Sequence, residues 1–185
     1  MSTKLRNWIT LIVIVTLVLA ADQISKNIVQ RNMYLGQSID VIDPFFAITY
    51  SENSGASFGF LPQAGDIFLM LAFVIAIGIF IFYPRIPQSA MLTRIGIALV
   101  CGGALGNAID RLVHGAVIDF IHYQIPGVIS NVSNLADHAI VIGVILILID
   151  SWRSEGKKKQ ETKAAEVTSP ADAPEPVEEQ EKTAL

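Results

Sequence analysis

Residues 102–120, GGALGNAIDRLVHGAVIDF, decide the fold because they set polar and charged side chains between two strongly apolar segments. Residues 95–101 are interrupted only by Gly96, and residues 139–149 are apolar apart from Gly143. Ionisable groups at the margin of membrane spans are costly and usually functional. The edge that the two segments share is therefore the predicted functional site. It gathers six polar residues: Asn107, Asp110, Arg111, Asp119, Asn134 and Asp137.

The composition indicates a small protein that crosses a membrane several times. Of the 185 residues, 52% are hydrophobic and 16% are charged, which is too apolar for a soluble domain of this size. The single cysteine, Cys101, excludes an intrachain disulfide and any zinc site with several cysteines. The net charge of −4 gives no indication of nucleic-acid binding.

Four apolar segments predict a membrane all-α core of four transmembrane helices, at about residues 8–28, 67–83, 95–113 and 136–152. The second segment is slightly short against the roughly 20 residues that cross the hydrocarbon core. The basic start followed by Leu19-Ala-Ala could also be read as a cleaved signal peptide. We favour a retained first span, because the apolar pattern continues past Lys26 without turn residues.

Residues 32–63 have the pattern of short β-strands and predict a small β platform on one membrane face. Turn signals at Asp43-Pro44 and Asn53-Ser-Gly55 separate the alternating stretches. Residues 117–133 are mixed in pattern and are broken by Pro126-Gly127. The alternating apolar positions of the platform are Ile39, Val41, Phe46, Ile48 and Tyr50.

The distribution of basic residues predicts the orientation. By the positive-inside rule, both termini are cytoplasmic, and the polar cluster and β platform are extracytoplasmic. We expect residues 1–153 to form one membrane domain and residues 154–185, rich in Glu, Lys, Ala and Pro, to form a disordered cytoplasmic tail. The bases on the cytoplasmic side are Lys4, Arg6, Arg85, Arg94, Arg153 and residues 157–159; Lys26, Arg31 and Arg111 are on or near the other side.

Helical spacing brings several of the polar residues together. Asn107, Asp110 and Arg111 lie at i, i+3 and i+4, so they share one helix face. Gly102 and Gly106 form a small-xxx-small pair that allows close approach of another helix. Asn134 and Asp137 also fit an N-cap and a first-turn acid, a purely structural arrangement.

Two carboxylates at one membrane edge, Asp119 and Asp137, suggest an aspartic hydrolase. Such a pair shares one proton, so that one acid activates water while the other donates to the substrate carbonyl. A proton-coupled carrier is an alternative, since acids in spans also mark proton relays, although no internal repeat is visible. A structural membrane subunit is a third reading.

Five motifs, spread over residues 8–152, resemble the lipoprotein signal peptidase (signal peptidase II) family. That family consists of bacterial four-span membrane aspartic peptidases with an extracytoplasmic β-cradle. The resemblance implies cleavage of prolipoproteins before a diacylglyceryl-modified cysteine, contact with membrane lipid, inhibition by globomycin-type compounds, and a cytoplasmic (inner) membrane location. The motifs are Asp22-Gln-x-Ser-Lys26, Asn53-Ser-Gly-Ala-Ser-Phe58, Gly102-Gly-Ala-x-Gly-Asn107-x-x-Asp110-Arg111, Val117-Ile-Asp119-Phe120 and Asn134-x-Ala-Asp137.

Transferred by motif, the resemblance makes Asp119 and Asp137 the catalytic pair. We expect no metal, cofactor or nucleic-acid partner, and a monomer. Two departures from the family pattern, Ser57 and Ser133, affect packing rather than chemistry. Substrate-binding residues would be Asn53, Asn107, Arg111 and Asn134, and supporting residues would be Asp22, Lys26, Gly103, Asp110 and Ala136.

Other nucleophiles and ligands fit less well. Ser25 and Lys26 are adjacent and cannot face each other on a helix, which disfavours a serine–lysine peptidase. Cys101 lies in an apolar helix and is read as a packing residue. The histidines show no metal-binding spacing and are read as interfacial polar residues; they are His114, His122 and His138. Within the aspartate pair, the apolar neighbours of Asp119 favour its neutral form, and the helix start favours an ionised Asp137.

Overall fold

The computed structural model describes residues 3–55 and 65–168. Internal contacts divide the chain into a main unit, Met1–Ser151, and a C-terminal unit, Trp152–Leu185. A short 3-10 turn, Tyr83–Arg85, follows the second helix. The main elements in chain order are α1 (Thr3–Asn32), β1 (Ser38–Ile42), β2 (Phe46–Asn53), α2 (Gly65–Phe82), α3 (Met91–His114), β3 (Val117–Ile125), β4 (Ile129–Ser133) and α4 (Leu135–Thr168).

Three of the helices in the described residues are long and apolar enough to cross a membrane. The stretches are Leu5–Asn32, Met91–His114 and Leu135–Gly156, and a shorter apolar helix covers Leu69–Arg85. The protein is therefore a mostly helical membrane protein with a small antiparallel sheet. Helices α1 and α3 extend beyond the predicted spans, because flanking polar and basic residues continue a helix that a hydropathy pattern detects only in its apolar part.

The prediction of a disordered tail is wrong for residues 154–168, which are helical. This stretch is rich in Glu, Lys, Gln and Ala, the residues with the highest helix propensity. Low hydrophobicity prevents burial of an apolar face, but it does not prevent the local hydrogen bonding of a helix. Residues 169–185 and Ser57 lie outside the described residues.

Glycines on two faces of α3 make it the central helix of the main unit. A Cβ atom on Gly102 would lie 2.8 Å from the Val18 Cβ of α1, and one on Gly106 would lie 2.7 Å from Asp22 Oδ2. A Cβ on Gly103 would clash with the carbonyl oxygen of Ala136 in α4. The predicted close approach at Gly102 and Gly106 is thus confirmed, with α1 as the neighbouring helix.

The four strands form one antiparallel sheet in the order β1-β2-β3-β4. The central pair, β2 and β3, joins segments that lie on either side of α2 and α3 in the chain. A register shift between Ile48 and Ser51 brings Ser51 opposite Asp119 and Asn53 opposite Val117. The predicted strands in residues 32–63 are confirmed, whereas the mixed pattern of residues 117–133 concealed a second hairpin, which turns at Gly127 with φ of 74°.

Two sets of contacts fix the ends of the helices. At one end, Val29 of α1 packs with Tyr50, Ile118 and Phe120 of the sheet. At the start of α3, the Asp150 carboxylate accepts hydrogen bonds from the Thr93 backbone N–H (3.1 Å) and hydroxyl (2.6 Å). The sheet therefore lies at the end of α3 opposite to Thr93, and this is the end that carries Asn107, Asp110 and Arg111.

Candidate active site

Asp119 lies on β3 with its carboxylate held by two side-chain amides. Asn134 Nδ2 donates to Oδ1 at 2.6 Å, and Asn53 Nδ2 donates to Oδ2 at 3.1 Å. The Asp119 side chain is only 2% exposed, and Asn134 is fully buried. Both donors lie at the ends of secondary-structure elements: Asn53 is the last residue of β2, and Asn134 directly precedes α4. The sheet register therefore brings together residues that are 66 positions apart in sequence.

Asp137 lies in the first turn of α4 and is connected to Asp119 through Asn134. The Asn134 Oδ1 atom accepts the Asp137 backbone N–H at 2.9 Å, so the predicted N-cap is confirmed. The Asp137 carboxylate accepts a hydrogen bond from Asn107 Nδ2 of α3 at 2.7 Å. One asparagine thus caps α4 and holds the neighbouring carboxylate of Asp119, so the capping role and the site geometry coexist.

Burial makes Asp119 a much weaker acid than an exposed aspartate. Removal from solvent, together with the nearby negative charge of Asp137, raises the pKa of Asp119 from 3.8 to about 7, although hydrogen bonds from Asn53 and Asn134 oppose the rise. Near neutral pH, Asp119 therefore exists in both protonated and ionised forms. Such a group can donate a proton to a substrate oxygen and take it back within one reaction.

Lys26 of α1 is the centre of a buried ionic cluster behind the two aspartates. Its Nζ atom lies 2.7 Å from Asp22 Oδ2 and 2.7 Å from Asp110 Oδ2, and it donates to Asn107 Oδ1 at 3.1 Å. The side chain of Lys26 is 2% exposed. Because Lys26 occupies the oxygen of the Asn107 amide, the nitrogen of the same amide is directed toward Asp137.

The carboxylates of this cluster also hold the backbone of the neighbouring elements. Asp22 Oδ1 accepts the Ala136 backbone N–H at 3.0 Å, and Asp110 Oδ2 accepts the Ile118 N–H at 3.2 Å. One belongs to the first turn of α4 and the other to the strand residue before Asp119. The cluster therefore fixes both segments that carry the aspartates, and the supporting role expected for Asp22, Lys26 and Asp110 stays a prediction.

Arg111 lies between the aspartates and the end of β2. Its guanidinium donates to the backbone oxygens of Asn107 at 3.3 Å and Gly55 at 3.5 Å. It also interacts electrostatically with the carboxylates of Asp119 and Asp137. The half-buried cation thus balances negative charge at the site and contacts the segment that leads out of β2.

Sequence reasoning missed one polar member of the site. Gln23 Nε2 donates to Asp110 Oδ1 at 2.8 Å and lies 3.3 Å from the Gly106 carbonyl oxygen. The sequence feature that could have identified Gln23 is its position directly after Asp22 in the first motif. A hydropathy pattern shows Gln23 only as a polar interruption of the span. All eleven predicted site residues lie in or directly beside this region, including Gly103 and Ala136, which pack α3 against α4.

The part of the chain that the structure describes contains no group of three or more His, Cys, Asp or Glu side chains that could hold a metal ion.

The histidines that were predicted to be interfacial polar residues have different hydrogen-bond partners. Both ring nitrogens of His138 form hydrogen bonds, one with the backbone oxygen of Asn134 and one with the Tyr123 hydroxyl. His122 instead forms hydrogen bonds with the hydroxyls of Thr49 and Ser130 on the sheet.

Comparison with known proteins assigns the family. The model of the family described as signal peptidase (SPase) II matches residues 14–153 of this chain. The chain belongs to the signal peptidase II family. It is therefore a peptidase, and membership in this family favours a hydrolase over a proton-coupled carrier or a purely structural membrane subunit.

Individual relatives match most of the chain. The lipoprotein signal peptidase of Bacillus subtilis (strain 168) is 40% identical over 148 residues, which cover 80% of this chain and 96% of the relative. The lipoprotein signal peptidase of Moorella thermoacetica is 44% identical over 131 residues, which cover 71% of this chain and 85% of the relative.

Solved structures give the same fold. A bacterial membrane enzyme superimposes with a TM-score of 0.74 at 36% identity, covering 80% of this chain and 91% of that one. A second bacterial membrane enzyme superimposes with a TM-score of 0.68 at 38% identity, covering 76% and 90%.

Proposed function

We propose that this signal peptidase II family member removes signal peptides from diacylglyceryl-modified prolipoproteins, cleaving on the amino side of the lipidated cysteine. The observation that carries the proposal is the joint arrangement of Asp119 and Asp137 around Asn134, whose side-chain nitrogen donates to the Asp119 carboxylate and whose side-chain oxygen accepts the Asp137 backbone N–H. The names of the relatives, lipoprotein signal peptidases, supply the substrate class.

In the proposed mechanism, Asp119 begins protonated and Asp137 begins ionised. The raised pKa of Asp119, about 7, supports a protonated Asp119, and the position of Asp137 in the first turn of a helix favours a carboxylate there. Asp137 takes a proton from the attacking water while Asp119 donates its proton to the scissile carbonyl oxygen, giving a neutral tetrahedral intermediate. Asp137 then protonates the leaving nitrogen, and Asp119 recovers its proton as the carbonyl re-forms. The carboxylates thus end the cycle in their starting states.

The remaining polar residues would hold the substrate and the carboxylates. Asn107 and Asn134 keep the two aspartates oriented, each through a bond from its side-chain nitrogen to a carboxylate oxygen. Asn53 and Arg111 are nearer to the segment after β2, where an extended peptide backbone would find both amide and guanidinium donors. We assign these four residues to substrate binding, and no cofactor is required by this chemistry.

The proposed topology has four spans: the three long helices and, in addition, the shorter helix α2. Exposed large apolar side chains along α2, such as Met70, Val74 and Phe80, suit a helix that faces lipid. With an even number of spans and basic residues at Lys4, Arg85 and Arg153, both termini are cytoplasmic and the aspartates are extracytoplasmic. We propose a monomer in the bacterial cytoplasmic membrane, with globomycin-type compounds as inhibitors.

The test is cleavage of a purified diacylglyceryl-modified prolipoprotein by the protein in detergent. We expect Asp119→Asn and Asp137→Asn each to abolish cleavage, because one removes the proton donor and the other the base. Asp40→Asn, at an exposed position of β1, is the matched control and should cleave like the wild type. The same prolipoprotein without its lipid is the control substrate and should not be cleaved.

Turnover at the wild-type rate by either aspartate variant would refute the assigned pair, and Asp110 would then be the next acid to replace. Equal cleavage of lipidated and unlipidated substrate would refute the proposed specificity while leaving the peptidase chemistry intact. Far-ultraviolet circular dichroism of each variant shows whether its helices are retained.

A further inference from the structure

His138 and Tyr123 connect α4 to β3 beside the two aspartates. His138 Nε2 lies 3.2 Å from the Tyr123 hydroxyl, and Nδ1 lies 2.7 Å from the backbone oxygen of Asn134. The centroids of the two rings are 5.8 Å apart, and the Phe46 ring is also 5.8 Å from that of Tyr123. Neither residue belongs to the five motifs that relate the chain to its family.

The backbone oxygen of Asn134 fixes the direction of one hydrogen bond of His138, and the direction of the other follows when the imidazole is neutral. A carbonyl oxygen can only accept, so His138 Nδ1 carries a proton and donates it to Asn134. In the neutral imidazole, Nε2 then has a lone pair, and the Tyr123 hydroxyl donates to it. The bonds therefore run in one direction, from Tyr123 through His138 to the backbone of Asn134.

Asn134 transmits this restraint to the aspartates. Its side chain donates to Asp119 Oδ1 at 2.6 Å and accepts the Asp137 N–H at 2.9 Å. Tyr123 lies four residues after Asp119 on β3, so both side chains belong to the same face of the strand. The first turn of α4 is thus tied to the strand that carries Asp119 at two points, through Asn134 and through His138.

We infer that His138 and Tyr123 are positioning residues that hold the start of α4 against β3, so that Asp119 and Asp137 keep the separation needed to share one water molecule. This inference rests on the proposed function. Both residues act through Asn134, which the proposed mechanism uses to orient Asp119 as well as to hold the substrate, so their loss should lower kcat by a larger factor than it raises KM.

The experiment is a double-mutant cycle with Tyr123→Phe and His138→Asn. Phenylalanine removes only the hydroxyl, and asparagine keeps an amide nitrogen near the position of Nδ1 while removing Nε2. Each variant should lower kcat about 3- to 10-fold, the range for one ordinary hydrogen bond. Because both changes remove the same bond, the double variant should be no slower than the slower single variant. His114→Asn, at an exposed histidine of α3, is the control and should leave kcat unchanged.

A second measurement needs no substrate. Isotope-edited infrared spectroscopy of the Asp119 carboxyl gives the midpoint of its titration in each variant. We expect the midpoint to move equally in Tyr123→Phe and His138→Asn, because a looser Asn134 changes the hydrogen bond that Asp119 accepts. His114→Asn should leave the midpoint where it is in the wild type.

Rate losses that multiply in the double variant, a loss confined to KM, or an unchanged midpoint in both single variants would each overturn the inference. Failure of the wild type to cleave lipidated prolipoprotein would refute the proposed function instead. In that case the infrared midpoints still decide whether His138 and Tyr123 position Asp119.

Discussion

Replacement of Asp119 by asparagine should make the protein more resistant to unfolding as the pH rises, even though it removes the proposed proton donor. The pKa of Asp119 is raised from 3.8 to about 7 in the folded protein, chiefly by burial and also by the charge of Asp137. At about 1.4 kcal/mol for each pH unit between these two values, ionisation of Asp119 weakens the folded state by about 4 kcal/mol in total.

The sign follows from proton binding. Between about pH 4 and pH 7, the folded protein retains a proton on Asp119 that the unfolded chain has released, so the free energy of unfolding falls as the pH rises. Below this range both states are protonated, and above it both are ionised, so the contribution is constant at each end. In Asp119→Asn the contribution is absent, because asparagine does not titrate.

The difference in melting temperature between Asp119→Asn and the wild type, measured in detergent by intrinsic fluorescence from pH 4 to pH 8, is the informative quantity. The replaced hydrogen bonds of Asp119 add an offset that does not depend on pH. In addition to this constant offset, the melting temperature of the variant relative to the wild type should rise by roughly 8–16 °C between pH 4 and pH 8, if 1 kcal/mol corresponds to about 2–4 °C at this chain length. Asp40→Asn, the exposed control, should run parallel to the wild type. A parallel curve for Asp119→Asn would refute the reasoning, since Asp119 would then have an ordinary pKa.

Three further predictions test the surroundings of the aspartates. Lys26→Ala leaves the buried carboxylates of Asp22 and Asp110 without their cation and should lower the free energy of unfolding by about 3–5 kcal/mol. Chemical denaturation measures this free energy, and a loss below about 1 kcal/mol would contradict a buried ion pair. Gly106→Ala would set a Cβ atom 2.7 Å from Asp22 Oδ2 and should destabilise by about 1–3 kcal/mol, whereas Gly78→Ala, with open space around it, should not. Cleavage should continue in a metal chelator, because a carboxylate pair activates water directly; activity lost there and restored by a divalent ion would show that a metal takes part.

The helical part of the fold could be predicted because membrane helices leave a strong signal in hydropathy. The four apolar segments all became helices, and Gly102 and Gly106 pack on α1 as their spacing suggested. The boundaries were less predictable, since α1 and α3 continue through polar residues. Residues 154–168 were mispredicted as disordered because low hydrophobicity says nothing about the local helix propensity of Glu, Lys and Ala.

The second hairpin and the hydrogen-bond relays could not be read from spacing. Strand β3 is buried on both faces over residues 117–121, so it lacks the alternation that reveals a half-buried strand. The residues of the motifs were found by type, but their pairing depends on a sheet register between distant segments. For the same reason His138 passed as an interfacial polar residue, because its partner Tyr123 lies 15 positions earlier, on another element.

The pairing of β2 with β3 also determines when, during synthesis, the candidate site can assemble. The ribosome releases Asn53 early, but its partner Asp119 follows only after α2 and α3, and Asp137 later still. Strand β3 begins 64 residues after the end of β2, so at about 5–20 residues per second the nascent chain spends roughly 3–13 seconds with β2 lacking its neighbour β3. During that time the edge of β2 that pairs with β3 has no partner strand, and neither Asp119 nor Asp137 has been synthesised. On the proposed assignment of Asp119 and Asp137 as the catalytic pair, the site is complete only after the start of α4 has been synthesised.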